Sequence, residues 1–374
     1  MYVYETASMS DHIRFLNKQE TDFFKVLQDR VNHYFKSHGL KRDGGALLLA
    51  KSLFLLTVFV VPFIIVLTAE PSLVIATFLL IVMGVGKAAV GMSIMHDALH
   101  GSFSNKQWVN DLFGGTLYLL GGNPINWRIQ HNILHHTYPN VYKVDEDVST
   151  KAFILRLSPE SKLRKVHKYQ WLYIIPLYGL MTLSFMVKDF RQLTRYNKMG
   201  ATKRQGFDPR REMFRLIITK IVYLFTTIGL PLLLTGYSVI QVISGFLIVH
   251  FTAGLILSLV FQLAHVVEGV EYPERNLSGD LDSSWALHQL ATTSNFAPQN
   301  RFVHWFTGGL NHQVEHHLFP HISHVHYRSI SKIVQATSEE FGFVYNSYPT
   351  VLSALNAHIR MLKNLGKERK FEMA

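Results

Sequence analysis

The apolar residues of this chain are grouped into long blocks that are separated by polar segments. Four blocks each contain the roughly 20 residues that a helix needs to cross the hydrocarbon core of a membrane. They occur as two close pairs, in which only a few residues separate the members: 46–69 with 73–95, and 214–236 with 239–265. Four such runs in tight pairs are hard to explain as buried helices of a soluble protein, so the pattern predicts an all-α integral membrane protein with two transmembrane hairpins.

A fifth apolar block, Trp171–Val187, is shorter and contains Pro176, Gly179 and several aromatic residues. Its length is marginal for a membrane span, and Trp and Tyr are enriched at membrane–water interfaces. Hydropathy alone leaves open whether this block crosses the membrane.

The basic residues indicate which parts of the chain share one side of the membrane. The formal net charge is +11, and nearly all of the 37 Lys and Arg residues lie in the segments 1–46, 94–213 and 266–374. The turns 70–72 and 235–238 contain none. By the positive-inside rule, the three basic segments are predicted to be cytoplasmic. Because the basic residues are scattered rather than aligned along one face, the charge argues against a nucleic acid partner.

Composition divides the chain into an N-terminal cytoplasmic segment (1–45), a membrane domain (46–345) and a C-terminal cytoplasmic tail (346–374). Residues 10–38 mix apolar and charged positions in the way typical of an amphipathic helix lying on the membrane or on the cytoplasmic part of the protein. The chain contains no cysteine. This excludes disulfides, thiolate metal sites, Cys-ligated iron–sulfur clusters and a Cys nucleophile.

The twenty histidines are concentrated in the predicted cytoplasmic segments. His96 and His100 end the second apolar block in the sequence MHDALH, and their spacing places both rings on one helix face, about 5–6 Å apart at Cβ. A second set, QHNILHH, contains His131, His135 and His136. In an α-helix, His131 and His135 share a face while His136 is rotated by about 100°, so this trio can serve two ions from one turn.

A third set lies beyond the fourth block in NHQVEHH, where Gln313 precedes His316 and His317. A lone candidate, His265, ends the fourth block itself. Each set taken singly has a plainer explanation, such as a hydrogen-bonded structural pair, a solvated helix end or a polar residue at the membrane interface.

The coincidence of these sets on one predicted side of the membrane favours a metal centre. Eight neighbouring imidazoles would repel one another if protonated, and a metal ion is the usual reason to keep them neutral and convergent. Imidazole suits zinc, copper, iron and nickel, so ligand type alone does not choose the metal. A zinc site is usually complete with three or four ligands, whereas this larger number divides naturally over two ions. Two redox-active ions with neutral ligands and open positions would suit the binding and reduction of oxygen.

Convergence of the histidines also bears on the fifth block. The third set follows four crossings if Trp171–Val187 stays in the interface, and five crossings if that block spans the membrane. Five would put the third set on the opposite side from the other two. We therefore predict an interfacial or re-entrant helix at Trp171–Val187.

The segments HDALH, HNILHHTYPN and NHQVEHHLFPHI resemble the three histidine boxes of the membrane fatty acyl desaturases in order, spacing and position relative to the paired blocks. The resemblance covers about 45–345. It implies a four-span helical fold whose cytoplasmic helical cap holds a di-iron centre, which activates O2 to remove hydrogen from an acyl chain. Gln313 and the DEDVST segment after the second box are typical of the front-end desaturases, which insert a double bond between an existing one and the carboxyl end.

By this resemblance, the metal ligands are expected to be the box histidines, the histidine that ends the fourth block, and the glutamine of the third box: His96, His100, His131, His135, His136, His265, Gln313, His316 and His317. His312, next to Gln313, is an additional imidazole where the family has an aromatic residue, and it is a further candidate for the same role.

Other residues near the boxes are expected to support the centre. Four carboxylates are candidates for orienting ligand N–H groups, although a solvated acidic turn explains the last two equally well: Asp97, Glu315, Asp145 and Asp147. Three residues beside the boxes are expected to shape the site or to hold a headgroup: Trp127, Arg128 and Asn123. We expect the histidines that follow the third box to be surface or hydrogen-bonding residues: His321, His324 and His326.

The resemblance also bears on the electron supply. Eukaryotic front-end desaturases carry an N-terminal cytochrome b5 domain with a His-Pro-Gly-Gly motif, and this sequence has neither the motif nor the room for that domain before Ala46. We therefore expect electrons from a separate carrier, such as ferredoxin or free cytochrome b5. We also expect a bacterial inner-membrane protein whose histidine boxes face the cytoplasm.

Two alternatives stay open from the sequence. The same scaffold hydroxylates its substrate when the second hydrogen is not removed, and nothing in the sequence separates the two outcomes. A non-redox metal-binding or metal-transport membrane protein is more remote, because transport would place ionisable residues along a path at mid-membrane depth. His250 is the only histidine deep inside an apolar block.

Overall fold

The computed structural model describes residues 13–16, 22–149 and 153–367, and within them the chain is almost entirely helical. In chain order, the α-helices are α1 (Phe23–Ser37), α2 (Gly45–Ala69), α3 (Leu73–Val90), α4 (His96–Leu99), α5 (Gln107–Gly114), α6 (Thr116–Leu119), α7 (Pro124–Trp127), α8 (Gln170–Gly179), α9 (Met181–Lys198), α10 (Ala201–Arg204), α11 (Pro209–Leu224), α12 (Leu230–Leu234), α13 (Val239–His265), α14 (Trp285–Thr292), α15 (Arg301–Phe306), α16 (Gln313–Leu318), α17 (Tyr327–Glu340) and α18 (Val351–Leu365).

Shorter elements connect or continue these helices. Three segments are π-helical: Gly91–Met95, Arg128–His135 and Phe225–Gly229. Two are 3₁₀ helices: Lys165–Tyr169 and His324–His326. The two strands of the described residues, β1 (Asn295–Phe296) and β2 (Ser347–Tyr348), pair in parallel with Asn295 opposite Ser347. This small sheet joins the segment before α15 to the segment before α18.

Four continuous helices of the described residues are long and apolar enough to cross a membrane: Gly45–Ala69, Leu73–Leu99, Pro209–Leu234 and Val239–His265. This confirms the predicted all-α fold with four spans. The second span runs four residues past its predicted end because the π-helical segment Gly91–Met95 carries the helix on through α4. The third begins earlier than predicted, at Pro209, because the Asp208 side chain caps the backbone N–H groups of Arg210 and Arg211.

The second span is central to the bundle, since it packs against both α2 and α13. Glycines make these close contacts possible. A Cβ on Gly86 would lie 2.7 Å from the backbone nitrogen of Phe59, and one on Gly84 would lie 2.6 Å from Cβ of Thr252. Small residues at such crossings let helix backbones approach each other inside a membrane.

The fifth apolar block folds as two helices that bend sharply. The stretches Lys165–Gly179 and Met181–Lys198 meet at 77°, and they are long and apolar enough for a span only if they are counted together. His96 and His316, which lie before and after this pair in the sequence, have ring centroids 4.5 Å apart. α11–α12 and α13 already supply two crossings between these histidines, so their proximity is what an interfacial or re-entrant bent pair would produce. That placement stays a prediction.

Within the described residues, the predicted amphipathic segment contains α1. Its buried stripe of Phe23, Leu27, Val31 and Phe35 packs against a core that includes Ile330 of α17. The division of the chain into 1–45, 46–345 and 346–374 stays a prediction, and parts of it lie outside the described residues: 1–12, 17–21, 150–152 and 368–374.

Candidate metal centre

A buried cluster of histidines lies where two spans end. His96 and His100 lie at the end of the second span and His265 at the end of the fourth, while the second box and α16 supply the others. The eight box and span-end histidines are each at most 6% exposed. The structure therefore brings together imidazoles that are separated by up to 221 residues of sequence, counted from His96 to His317.

The ring nitrogens of the cluster fall into two groups. His96, His100, His131 and His316 form group A, in which one nitrogen from each ring lies within 4.8 Å of the others. His135, His265 and His317 form group B by the same criterion. His136 is grouped with His316 and His317, one from each group, and so lies between A and B.

The second box divides itself between these groups because it is π-helical. The wider turn of Arg128–His135 brings residues five apart into register, and Nε2 of His136 lies 3.2 Å from Nε2 of His131. His131 and His135, which an ideal α-helix would place on one face, are stacked 5.2 Å apart. His131 belongs to group A and His135 to group B, although one nitrogen of each also lies within 4.8 Å of the other and of an Asp147 oxygen. The local backbone, and not the sequence spacing alone, decides which histidine serves which group.

For several of these histidines, the other ring nitrogen is held by a partner outside the cluster. Nδ1 of His317 lies 2.9 Å from Oε1 of Gln289, and Nδ1 of His316 lies 3.1 Å from the Tyr327 hydroxyl oxygen. The Nδ1 atom of His265 lies 3.3 Å from the backbone oxygen of Thr292. A protonated Nδ1 that donates outward leaves Nε2 with its lone pair free.

The free Nε2 atoms face one another without hydrogen-bond partners. Nε2 of His288 and of His312 is also buried and unpaired, but these two lie outside the cluster. Within the cluster, five histidines of the described residues have an unpaired Nε2: His100, His135, His265, His316 and His317. Buried polar atoms are almost always paired in native proteins. Five convergent unpaired imidazole nitrogens are a donor set suited to metal ions, so the residues present fit a metal centre of more than one ion.

Burial sets the protonation state of the cluster. The pKa values of His100, His131, His136, His316 and His317 lie well below the usual 6.5, first because burial disfavours the charged ring and second because neighbouring histidines repel a proton. These rings are therefore neutral at neutral pH, as metal binding requires.

Asp145 makes His135 the exception. Burial lowers the pKa of His135, but the charge and hydrogen bond of Asp145, whose Oδ2 lies 3.0 Å from Nδ1, outweigh it and raise that pKa above its usual value. Asp145 is fully buried and also accepts backbone hydrogen bonds from Asn140 and Asp147. Asp147 is more distant from His135, at 3.7 Å, and accepts from Gln130. In this structure the acidic segment is therefore not a solvated turn.

Asp97 faces away from the group A rings. Its Oδ2 accepts from Ser323 Oγ at 2.7 Å and lies 2.9 Å from Nδ1 of His324, and Nε2 of His324 lies 3.0 Å from Nζ of Lys51. The network joins the first box to the segment after the third box and to the start of α2. His324 is thus a hydrogen-bonding residue, in keeping with the expectation from the sequence.

Glu315 has a similar role on the other side of α16. Its carboxylate accepts from Nδ2 of Asn295 and from the hydroxyl of Tyr345, both at 2.8 Å. Burial raises the pKa of Glu315 to about 7. The side chains of Asp97 and Glu315 hydrogen-bond to groups outside the histidine cluster, and each stabilises a segment that carries cluster histidines.

The two candidates at the start of α16 are placed differently. Gln313 is buried, and its side-chain amide lies close enough to His265 to interact with it, although neither amide atom makes a hydrogen bond of normal geometry. His312 lies outside the cluster, with Nδ1 3.3 Å from Nδ1 of His304 and 3.1 Å from Oδ1 of Asn311. The structure thus brings Gln313, and not His312, toward group B.

Of the three flanking residues, Trp127 lies against the cluster. Its ring stacks on His131 at 4.3 Å and meets His96 and His100 edge-on. Arg128 instead pairs with Asp111 at 3.1 Å.

Asn123 caps α7, because its Oδ1 accepts from the backbone nitrogen of Asn126 at 2.9 Å. Its side chain positions the start of the second box and makes no contact with the cluster that the structure records.

Sequence reasoning missed the residues that contact Nδ1 of His265, His316 and His317 and so orient these rings. Gln289, Tyr327 and Thr292 are ordinary-looking residues of a helix, a helix start and a helix end. Each of them contacts a histidine that lies 11 to 28 residues away in sequence, so no local spacing pattern reveals the contact. The polar side chains of Gln289 and Tyr327 were the only signal for this role.

Residues 71–349 match the family of fatty acid desaturases. The chain belongs to the fatty acid desaturase family. This desaturase is 34% identical over 360 residues to the sn-1 linoleoyl-lipid 6-desaturase of Synechocystis sp., covering 96% of this chain and 99% of that protein. It is 33% identical to the sn-1 linoleoyl-lipid 6-desaturase of Arthrospira platensis, with 92% of each chain covered. It is 32% identical to the acyl-lipid (8-3)-desaturase of Physcomitrium patens, covering 95% of this chain and 74% of that protein.

Family and fold together define the class of activity. The chain is a fatty acyl desaturase, an oxidoreductase of lipid metabolism, and a multi-pass membrane protein. Its buried histidine groups are candidates for a metal site.

Proposed function

We propose that this desaturase is an O2-dependent front-end enzyme that uses two iron ions to insert a cis double bond into the acyl chain of a membrane lipid. The observation that carries the proposal is the convergence of five unpaired, buried Nε2 atoms in two adjacent groups. Zinc would also bind imidazole, but it has no redox chemistry to offer a desaturase. When bound, redox-active iron supplies the oxidising power that removes hydrogen from an unactivated carbon.

The proposed ligands divide as the nitrogen groups do. One ion would be held by the four histidines of group A, and the other by the three of group B with Gln313 beside them. His136 lies between the groups and would complete either one. His312 is not needed, because it contacts His304 instead.

The substrate class is proposed from the relatives and from Gln313. Two relatives are linoleoyl-lipid 6-desaturases, and this chain covers most of the length of each. A third relative is an acyl-lipid (8-3)-desaturase. We accordingly propose a linoleoyl chain, esterified to a lipid, that receives its new bond between the existing bonds and the carboxyl end.

The chain's own residues contribute positioning and the exclusion of water. The overall reaction removes two hydrogens from adjacent carbons, and O2 takes them up with two electrons and two protons to give two molecules of water.

Trp127 covers group A with a flat apolar face. A cavity of about 240 Å³ between the spans is lined mainly by apolar side chains such as Phe59, Met83 and Val249. This lining supports a role in holding the methyl end of the acyl chain.

The remaining features follow from the resemblance and from charge. Electrons are proposed to come from a separate one-electron carrier, such as ferredoxin or cytochrome b5. The boxes are proposed to face the cytoplasm of a bacterial inner membrane, because the basic segments lie on their side of the spans.

The test is lipid analysis of a host that contains linoleate and expresses the wild-type chain or His316→Ala. We expect a new acyl chain lacking two hydrogens, located by derivatisation on the carboxyl side of the existing bonds, in the wild type only. His38→Ala is the matched control, because His38 is an exposed histidine at the end of α1. Purified wild-type protein should retain close to two iron ions per chain.

Other outcomes lead to other functions. A product that has gained one oxygen would identify a hydroxylase on the same scaffold. A protein that folds and retains zinc without any iron-dependent product would overturn the redox proposal and return the histidines to a non-redox metal role.

A further inference from the structure

The buried metal centre is connected to the protein surface by two side chains that are hydrogen-bonded to ligand backbones. Nδ1 of His321 lies 3.1 Å from the backbone oxygen of His100. The indole Nε1 of Trp285 donates to the backbone oxygen of His136 at 3.4 Å. His321 is exposed and Trp285 is half-buried, whereas both histidines that they contact are buried.

These two side chains open onto one face of the molecule. The Trp285 ring meets Phe24 of α1 edge-on at 5.2 Å, and Phe24 stacks on Phe319 at 6.1 Å. Phe319 and His321 then line a surface cavity of about 280 Å³. We call the surface formed by Phe24, Trp285, Phe319 and His321, with this cavity, the entry face.

The entry face has the features of a route for electrons. Electron tunnelling weakens steeply with distance and proceeds better through covalent and hydrogen bonds than across gaps. From the His321 ring, one hydrogen bond leads to the carbonyl of His100 and, by covalent bonds, to an imidazole of group A. From the Trp285 ring, the equivalent path leads to His136, which lies between the groups.

Charge indicates what kind of partner fits this face. Exposed cations lie on α1, which contributes residues to the cavity, and on the segment that follows it: Lys25, Lys36, Lys41 and Arg42. Arg42 lines the cavity itself, together with the uncharged Gln28 and Asn32. Exposed carboxylates on the same segment are fewer, at Asp22 and Asp29. A net positive rim steers and orients a negatively charged protein.

We propose that the entry face is the docking site for an acidic one-electron carrier protein, and that electrons pass from it through His321 to His100 and through Trp285 to His136. The carrier loses one electron at each visit, and two visits supply the two electrons that O2 reduction needs beyond the two substrate hydrogens. This inference rests on the proposed function, since only a redox centre needs such a carrier.

The test separates electron delivery from the centre itself. Iron-loaded, detergent-solubilised protein is mixed without oxygen with reduced plant-type ferredoxin, or separately with reduced soluble cytochrome b5, and oxidation of the carrier is followed by stopped-flow absorbance. The same preparations are assayed for iron content and for turnover driven by dithionite, which is a small reductant that does not need a docking face.

In the wild type, we expect at least one of the two carriers to be oxidised rapidly, with a rate that falls as salt is added. His321→Ala should slow this oxidation several-fold, and should lower the ratio of carrier-driven to dithionite-driven turnover by the same factor, while its iron content stays at the wild-type level. Lys41→Glu combined with Arg42→Glu should lower the association rate by about tenfold or more. His38→Ala, at an exposed histidine outside the cavity lining, is the control.

Two results would overturn the inference. One is carrier oxidation at the wild-type rate in both His321→Ala and the charge-reversed variant. The other is a wild-type protein that turns over with dithionite but oxidises neither carrier. A protein that holds no iron and makes no product even with dithionite would instead sink the proposed function, so the two failures are distinguishable.

Discussion

Oδ2 of Asp145 lies 3.0 Å from Nδ1 of His135, so a buried carboxylate holds a histidine of group B, whereas neutral oxygens hold His265, His316 and His317. A carboxylate behind an imidazole fixes its tautomer and strengthens its Nε2 as a donor. Group B therefore has one carboxylate in direct contact with His135, that of Asp145, while Asp147 lies farther away at 3.7 Å.

The first prediction concerns that partner. Asp145→Asn keeps the shape of the side chain but removes the charge, so the affinity for the ion at group B should fall by about 10–100-fold. Metal analysis after dialysis should then give closer to one ion than two per chain. Asp147→Asn, whose carboxylate is more distant from His135, is the control and should retain more metal. A full metal complement in Asp145→Asn would show that the carboxylate does not support binding.

The second prediction concerns the connection between the first box and the segment after the third. Asp97→Ala removes the only carboxylate that the structure records in contact with His324. Lys51, which contacts His324, would then be buried in a network without a negative charge. Burial lowers the pKa of His324 below its usual value, so its neutral ring donates a hydrogen bond to the Asp97 carboxylate. Leaving buried donors unpaired should cost about 1–3 kcal/mol of stability. Thermal unfolding in detergent measures the loss, and Asp29→Ala, at an exposed position of α1, should cause little change.

A double variant tests whether this network acts as a unit. If Asp97 and His324 stabilise the fold through each other, Asp97→Ala combined with His324→Ala should cost less than the sum of the single changes. Simple additivity would mean that the two residues act separately.

The third prediction concerns the loop that leads into the third box. Gly308 has φ +61°, and a Cβ there would lie 2.4 Å from the backbone oxygen of Met92, in the π-helical segment before His96. Gly308→Ala should therefore suffer both the backbone cost of a left-handed residue, about 1–2 kcal/mol, and an overpacking cost of about 1–3 kcal/mol.

Gly206→Ala is the matched control for this change, because Gly206 has φ +81° but nothing within 4 Å of its added Cβ. It should show the backbone cost alone. Equal unfolding temperatures for the two variants would mean that the close approach of the loop to Met92 does not matter.

The fourth prediction is a pH dependence of the metal-free protein. Burial, and then repulsion by neighbouring rings, holds the pKa values of His100, His131, His136, His316 and His317 well below 6.5. Below about pH 6.5, the unfolded chain therefore binds more protons at these histidines than the folded chain does. The contribution of these rings to folding stability is fully present above about pH 6.5 and falls as the pH drops below it. His135 has the opposite sign, since Asp145 raises its pKa, but it is one ring against five.

The unfolding temperature of chelator-treated protein should thus fall between about pH 7.5 and about pH 5.5. His316→Gln removes one depressed imidazole and should flatten this dependence. An unfolding temperature that does not change with pH would contradict the assignment of neutral, buried rings.

The sequence by itself determined the number of spans and the candidates for the metal centre. Both are local properties. A block such as 46–69 is apolar over the length that a bilayer demands, whatever the rest of the chain does, and His96 with His100 share a helix face because they are four residues apart. The interfacial placement of Trp171–Val187, which rests on the convergence of the boxes, stays a prediction.

Only the tertiary structure decided how the cluster is divided and what holds it. The residue spacing does not predict the π-helical turn that contains His131 and His135, because the same sequence is compatible with an α-helix. The packing of α16 places Gln313 near His265 and places His312 against His304. Gln289 and Tyr327 contact their histidines from segments that are distant in sequence, and no local pattern encodes those contacts. Spacing along one helix can be read from sequence because the helix fixes it, whereas contacts between distant segments depend on the packing of the whole chain.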